Sequence, residues 1–326
     1  MSETVTYREA LNRGMADALA EDERVFLFGE DVGASGGAFK ITDGLFDRFG
    51  PKRVRDTPIS EQAIVGTAIG SALMGLRPLA EIMFADFAAV CFDQIANELA
   101  KYRYMTGGQV TLPVTIRMSN GAGGGFGSQH SQAAENWLLN VPGLKLVVPA
   151  TPADAYGLLR AAVRDPDPVL VFEHKHLFNL KGELNDPPAV GELGKAEIVR
   201  SGEDITLVGT QLMRHRCVEV AERLADDGVE AEVIDPRTLA PLDLDTIRAS
   251  LDRTNRLLVA QECPPDGSWG ASVIARVVGT QLEAFDAPPA LVSAEETPVP
   301  YAGVLEEMWL PSVERILDAA KRTLDY

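Results

Sequence analysis

Short apolar runs alternate with helical patterns along nearly the whole chain, and this alternation limits the possible folds more than any other feature. Local signals mark some helix starts: Thr6 and Glu9 form a capping-box pair, and Thr151 precedes Pro152. A strand followed by a helix usually pairs in parallel with the next strand, so the pattern predicts an α/β protein with doubly wound parallel sheets. The predicted strands cover residues 25–28, 114–118, 145–148, 169–172, 205–208, 232–234 and 257–260, and the main predicted helices cover 62–76, 92–104, 217–224, 271–278 and 313–320.

The alternation stops between residues 176 and 194 and then restarts. This stretch contains Gly182, Pro187 and Pro188, which are typical of a linker. A length of 326 residues is enough for two domains, each with its own hydrophobic core. We therefore predict one domain over residues 1–185 and a smaller one over 194–326.

Charge and cysteine content exclude several classes of function. The chain has 48 acidic and 30 basic residues, a net charge of -18, which disfavours binding to nucleic acid or to an anionic membrane surface. The longest early apolar stretch, residues 63–76, is shorter than a membrane span, and the N-terminal residues do not resemble a secretion signal. Three widely spaced cysteines suit reduced thiols, so we expect a cytoplasmic protein.

Residues 121–127 form a glycine-rich stretch that leads to His130. The stretch lacks the Lys-Ser/Thr ending of a P-loop and the spacing of a dinucleotide-binding fingerprint. Two interpretations remain open: a loop that allows close backbone approach beside a site, and a flexible surface loop. No H-E-x-x-H motif is present. The residues alone therefore indicate a two-domain α/β protein with a candidate site near His130.

An ordered set of short motifs takes the interpretation further. Each motif is weak by itself, but together they run from about residue 6 to the end of the chain. In this order they resemble the beta subunits of the thiamine-diphosphate 2-oxoacid dehydrogenases, a family that includes the pyruvate, branched-chain 2-oxoacid and acetoin dehydrogenases. The motifs are Gly29-Glu30-Asp31-Val32, Asp56-Thr57-Pro58-Ile59-Ser60-Glu61, Gly75-Leu76-Arg77-Pro78, Phe84-Ala85-Asp86-Phe87, Phe92-Asp93-Gln94-Ile95, Gln129-His130-Ser131-Gln132, Pro142-Gly143-Leu144-Lys145, Pro168-Val169-Leu170, Glu173-His174-Lys175 and Pro298-Val299-Pro300-Tyr301.

The resemblance implies a pyrimidine-binding N-terminal domain and a C-terminal domain like that of transketolase. It also implies an alpha subunit, in a heterotetramer of two alpha and two beta chains, with thiamine diphosphate shared between them. The alpha subunit of such enzymes holds magnesium and the diphosphate through a Gly-Asp-Gly motif, which this sequence lacks. The implied reaction is decarboxylation of a 2-oxoacid, or cleavage of acetoin, followed by acyl transfer to a lipoyl-bearing acyltransferase.

The resemblance assigns roles to individual residues. Glu61 matches the carboxylate that bonds the cofactor's pyrimidine ring, although a carboxylate at a helix start also suits the helix dipole. His130 matches the active-site histidine near the lipoyl entry path, where a group that titrates near neutrality suits proton transfer. Phe87 and Met83 match positions beside the pyrimidine, and ordinary core packing is the alternative for both. Glu30 matches an acidic residue near the subunit interface, and a strand-end acid is the alternative.

A structural potassium ion is also implied by the resemblance. The rigid turn around Pro166 could present oxygens to a hard cation, but it could equally be a surface turn stiffened by proline. The residues that match the potassium ligands are Val114, Ala162, Val163, Asp165 and Asp167.

Two rival functions remain open at this stage. The chain could be a subunit of a thiamine-diphosphate carboligase, or a non-catalytic assembly partner. The presence of both Glu61 and His130 disfavours the non-catalytic alternative. A carboligase needs no lipoyl acceptor, so a lipoylated partner would separate that alternative from a dehydrogenase.

Overall fold

The computed structural model describes residues 2–326. The chain divides into two compact units. The first unit contains the residues up to 120 and residues 137–193, and the second contains residues 121–136 and 194–326. The domain bounds 1–185 and 194–326 stay a prediction. Within residues 2–326 no helix is both long and apolar enough to cross a bilayer.

Strands and helices alternate in both units. The strands are β1 Ser2–Thr6, β2 Val25–Gly29, β3 Val54–Asp56, β4 Arg77–Phe84, β5 Thr115–Asn120, β6 Lys145–Val147, β7 Val169–His174, β8 Lys181–Asn185, β9 Glu197–Arg200, β10 Ile205–Gly209, β11 Ala231–Asp235, β12 Thr238–Ala240, β13 Leu257–Ala260 and β14 Ala290–Val292. The α-helices are α1 Tyr7–Glu21, α2 Leu45–Phe49, α3 Glu61–Leu73, α4 Tyr102–Met105, α5 Glu135–Leu139, α6 Pro152–Arg164, α7 Gln211–Asp226, α8 Leu244–Thr254, α9 Trp269–Gln281, α10 Gly303–Trp309 and α11 Val313–Leu324.

The first unit is built on six parallel strands in the order β6-β7-β5-β4-β2-β3. Its central strands β5 and β7 are buried along their whole length, as expected for a parallel sheet covered on both faces. Helices α1 and α6 pack against each other and begin at the predicted caps. Thr6 and Glu9 form the capping box, and the Thr151 hydroxyl accepts from the Asp154 amide.

The second unit contains a five-stranded sheet in the order β14-β13-β10-β11-β9. Its strands are parallel except for β9, which pairs antiparallel with β11. The predicted α/β class with doubly wound, mainly parallel sheets is confirmed in both units.

Two local predictions were wrong. The linker stretch 176–194 contains strand β8, which pairs antiparallel with β1 at the N-terminus. The single helix predicted over 92–104 is a π-helical turn, Gln94–Leu99, followed by the short helix α4. Apolar periodicity does not distinguish a π-helical turn from an α-helix, and β8 is a short, mostly exposed edge strand.

Candidate active site

Four of the predicted site residues lie near the carboxyl ends of neighbouring strands in the first unit. Glu30 follows β2, Met83 lies at the end of β4, and Glu61 opens the helix α3 that follows β3. Phe87 lies in a 3₁₀ turn, Ala85–Ala89, directly after β4. This edge of a parallel sheet is where α/β proteins usually bind ligands. The fold therefore gathers these side chains at one edge.

Glu61 is a mostly buried residue whose carboxylate receives no hydrogen bond from the residues that the structure describes. The residue is 7% exposed, and within residues 2–326 no group donates to its carboxylate. Burial raises the pKa of the Cys91 thiol to about 12, and the Glu61 charge adds to that effect. The Glu61 oxygens are not among the fully buried side-chain atoms without a partner, so they remain accessible from outside. The Glu61 carboxylate is thus able to accept a hydrogen bond from a ligand.

Glu30 is a second buried carboxylate at this edge. Its Oε1 atom has no hydrogen-bond partner within the described residues. Burial raises the pKa of Glu30 above its usual 4.5, and the charges of Glu61, Asp31 and Glu81 raise it further. Gly29 allows this arrangement, because a Cβ at Gly29 would lie 2.8 Å from the Glu81 carbonyl oxygen. Strands β2 and β4 therefore bring acidic side chains together.

We expect Glu30→Gln to stabilise the protein in a pH-dependent way. Because its pKa is raised in the folded state, Glu30 keeps its proton to a higher pH in the folded protein than in the unfolded chain. Wild-type stability therefore falls as the pH rises from about 4.5 through the pKa of the folded state. Glutamine removes this cost. Urea unfolding should give equal stabilities below about pH 4 and a more stable variant at about pH 8. The exposed Glu23→Gln serves as the control, and the same pH dependence in both variants would contradict the burial of Glu30.

Met83 and Phe87 lie beside an irregularity in β4. The register between β4 and β5 shifts between Ile82 and Phe84, so Met83 is an extra residue at a β-bulge. Bulges are common next to binding sites because they redirect side chains. Phe87 meets the Phe84 ring edge-on at 5.9 Å between centroids. Both Met83 and Phe87 are half-buried, which leaves part of each side chain accessible.

Three buried charged side chains on the neighbouring strands β4, β5 and β7 form one group of ion pairs. Arg117 on β5 is 1% exposed and donates to both oxygens of Glu173 on β7, at 2.6 and 2.7 Å. Its third bond, also 2.7 Å, goes to Glu81 on β4. Burial lowers the pKa of Arg117, but Glu173 and Glu81 outweigh burial, so the pKa is raised. The sequence analysis did not identify this group, although each of the three residues is a charge within a mainly apolar strand.

His130 belongs to the second unit. It is half-buried, and its amide donates to the Gly127 carbonyl at 3.2 Å. The Ser128 hydroxyl donates to the Val299 carbonyl at 2.7 Å, and the Trp269 amide donates to Asn136 at 2.8 Å. The segment 121–136 is thus held by residues far along the chain. This finding does not support the interpretation of the stretch as a freely flexible surface loop.

The residues that match a potassium site are engaged with protein donors. The Val114 carbonyl accepts from the Val169 amide, the Ala162 carbonyl from the Asp165 amide, and the Val163 carbonyl from Arg77. These oxygens therefore each have a protein partner.

The two carboxylates of the same turn are paired with basic side chains. Lys145 Nζ lies 2.6 Å from both carboxylate oxygens of Asp165, and Arg103 pairs with Asp167. With both carboxylates paired, backbone carbonyl oxygens are the ligands that this turn would offer to a cation, and the potassium site stays a prediction. We assign no step of the reaction to potassium.

Comparison with known proteins identifies the family. Residues 3–181 match the family model of the transketolase pyrimidine-binding domain, and residues 194–316 match that of the transketolase C-terminal domain. The beta subunit of acetoin:2,6-dichlorophenolindophenol oxidoreductase from Bacillus subtilis is 43% identical over 99% of this chain and 98% of its own length. This chain belongs to the transketolase-like dehydrogenase beta subunits.

Another member of this beta-subunit family has a similar sequence identity to this chain. The mitochondrial pyruvate dehydrogenase E1 component subunit beta-2 of Oryza sativa subsp. japonica is 43% identical over 98% of this chain and 86% of its own length. A solved structure described as a split gene transketolase, inactive beta4 tetramer, has a TM-score of 0.81 at 24% identity, with 98% of each chain covered. That likeness concerns the fold alone. The resemblance inferred from the motifs is confirmed, while the roles of Glu61, His130, Glu30, Met83 and Phe87 stay predictions.

Proposed function

We propose that this chain is the beta subunit of a thiamine-diphosphate-dependent dehydrogenase that acts on a 2-oxoacid of the pyruvate type or on acetoin. The acyl product would pass to the lipoyl domain of an acyltransferase. Family membership and the Glu61 carboxylate, to which no described residue donates a hydrogen bond, support this proposal. Glu61 is the observation that carries it, because the reaction requires an acidic group at the cofactor's pyrimidine ring.

The residues of this chain fit one half of such a cofactor. Bound thiamine diphosphate supplies a thiazolium carbon that becomes a nucleophile after it loses a proton. Glu61 would accept a hydrogen bond from the far pyrimidine nitrogen and exchange a proton there. Phe87 would contact the face of the ring, and Met83 would border it. Glu30 would be a second acidic group of the site, and its raised pKa favours its protonated form.

A partner chain would complete the site. We propose an alpha subunit that holds magnesium and the diphosphate, in an assembly of two alpha and two beta chains. The outer face of α3 leaves room for the backbone of a partner to approach closely. Gly66 and Gly70 lie on this face, and a Cβ at either position would touch nothing within 4 Å. Large apolar side chains flank this face: Ile59 is 83% exposed and Met74 is 84% exposed.

The three buried thiols suit a reducing compartment, so we propose a cytoplasmic enzyme.

The function is tested with the complete assembly. The chain is co-expressed with its alpha subunit, and dye reduction is measured with pyruvate, branched 2-oxoacids and acetoin, with and without thiamine diphosphate. The proposal predicts reduction that depends on the cofactor and on one of these substrates. A complex that joins two carbonyl substrates but does not acylate a lipoyl domain would instead be a carboligase.

We expect His130→Ala to separate the two half-reactions. Acyl transfer to a lipoyl domain should fall by about 10²-fold, the usual contribution of a positioned proton donor, while dye reduction persists. The control is Gln129→Ala, an exposed neighbour in the same segment, which should leave both rates unchanged. Single-turnover acylation of an isolated lipoyl domain provides the measurement. An unchanged acylation rate in His130→Ala would rule out the role proposed for His130.

A further inference from the structure

The glycine-rich segment in front of His130 points its backbone amides at carboxylates. The amides of Gly123 and Gly125 donate to the two different oxygens of Glu306, each at 2.9 Å. The amide of Ala122 donates to Glu262. Both glutamates are buried, and Glu306 is only 3% exposed. The segment is therefore held through its main chain, by two acidic side chains.

The backbone conformation explains why the amides converge. Gly121, Gly123, Gly125 and Gly127 all have positive φ, between 70° and 96°. A left-handed residue at every second position turns neighbouring amides toward one side and forms a concave site that binds anions. Here the anion is the Glu306 carboxylate from the same chain. Side chains with a Cβ would be strained at these four positions, which accounts for the glycine content of the segment.

These hydrogen bonds hold the backbone segment that leads directly to His130. Glu306 comes from α10, and Glu262 follows β13 in the second unit. The Ser128 hydroxyl bond to the Val299 carbonyl adds a further attachment two residues before His130. Each attachment restricts the backbone within a few residues of the imidazole. The position of His130 thus depends on side chains more than 130 residues away in sequence.

We propose that Glu306 is a positioning residue that fixes His130 through the main chain of residues 121–127, with Glu262 in support. The consequence for acyl transfer rests on the proposed function, whereas the hold on the segment does not. A carboxylate is required because both of its oxygens accept from backbone amides. Glutamine would place an NH2 group against one of those amides, and aspartate is one methylene too short to reach both.

The proposal predicts a specific split between two activities. Loosening of the segment should impair the step that uses His130 and spare the steps that use Glu61. Acylation of a lipoyl domain should therefore fall, while dye reduction, which needs no lipoyl acceptor, should persist. A residue that merely stabilised the fold would lower both activities together.

The test uses the complete co-expressed enzyme with Glu306→Gln and Glu306→Asp. Hydrogen exchange of the peptides that cover residues 121–136 should quicken by about tenfold, the effect of losing a hydrogen bond to a charged group. Lipoyl acylation should fall by about tenfold or more, with dye reduction within about twofold of wild type. The matched control is Glu307→Gln, the exposed neighbour on α10, which should change neither property.

Several results would overturn the proposal. Unchanged exchange in both Glu306 variants would show that the carboxylate does not hold the segment. Faster exchange with an unchanged ratio of acylation to dye reduction would reject the positioning role. If the Glu306 variants do not assemble, Glu262→Gln removes one contact of the same set, and the same criteria apply to it. A wild-type complex without either activity would refute the proposed function, and the exchange rates would still decide whether Glu306 holds the segment.

Discussion

Glu61→Gln should reduce thiamine-diphosphate-dependent dye reduction by about 10²-fold or more, without loss of folding. The amide has nearly the shape of the carboxylate, but it cannot exchange a proton with a pyrimidine nitrogen. Because no described residue donates a hydrogen bond to the wild-type carboxylate, its replacement by a neutral group should not destabilise the chain. Initial rates with saturating cofactor, together with thermal unfolding, provide the measurement.

A matched control separates this role from a helix-dipole effect. Asp245 lies in the first turn of α8 with its side chain 93% exposed, so Asp245→Asn removes a carboxylate from a comparable helix start. We expect this variant to keep full activity. Glu61→Asp should retain part of the rate, since it keeps the acid but moves it back by one methylene. Equal activity in wild type and Glu61→Gln would refute the role of Glu61 and remove the main support for the proposed function.

Arg117→Met should lower the free energy of unfolding by about 3–5 kcal/mol, the usual cost of removing one partner from a buried ion pair. Methionine keeps an unbranched apolar stem but lacks the guanidinium group, so the variant removes the charge that the two glutamates share. Glu81 and Glu173 would remain buried without their shared cation. Burial already raises the pKa of Glu173 against the opposing effect of Arg117. Urea unfolding of the wild-type and variant enzyme measures the difference.

The pH dependence of the Arg117→Met defect tests its cause. Without the cation, the pKa of Glu173, which burial already raises, should rise further in the folded state, so Glu173 takes up a proton as the pH falls. The destabilisation should therefore be largest above about pH 7 and should shrink toward about pH 5. Combining Arg117→Met with Glu81→Gln and Glu173→Gln should recover much of the loss, because no buried charge remains. A defect independent of pH and of the two glutamates would point to packing instead.

The sequence predicted the fold class because alternation is a local property. Runs such as 25–28 and 257–260 lie within observed strands, and the Thr6 and Thr151 caps rest on contacts three residues apart. Strand β8 was missed because its stability depends on pairing with β1 near the N-terminus, which no local pattern reveals. The buried charges in β4, β5 and β7 can be seen in the sequence as a charged residue within each apolar run. That they form one ion-pair group becomes clear only when these three strands are known to be neighbours in the sheet.

The candidate site was less accessible to sequence reasoning. Glu61 has the local pattern of any acidic helix start, and only the motifs around it suggested a function. The contacts of Glu306 join residues 183 and 181 positions apart, and their partners are backbone amides that carry no sequence signature. The grouping of residues 121–136 with the second unit was equally beyond local patterns.

That grouping has a consequence for any attempt to dissect the gene. The polypeptide enters the second unit at residue 121, leaves it after residue 136, and returns to it at residue 194. A fragment that stops at the apparent linker would include the histidine segment but lack Glu262, Val299 and Glu306, which accept its hydrogen bonds. Complementation with the missing piece would therefore have to rebuild those attachments between separate molecules.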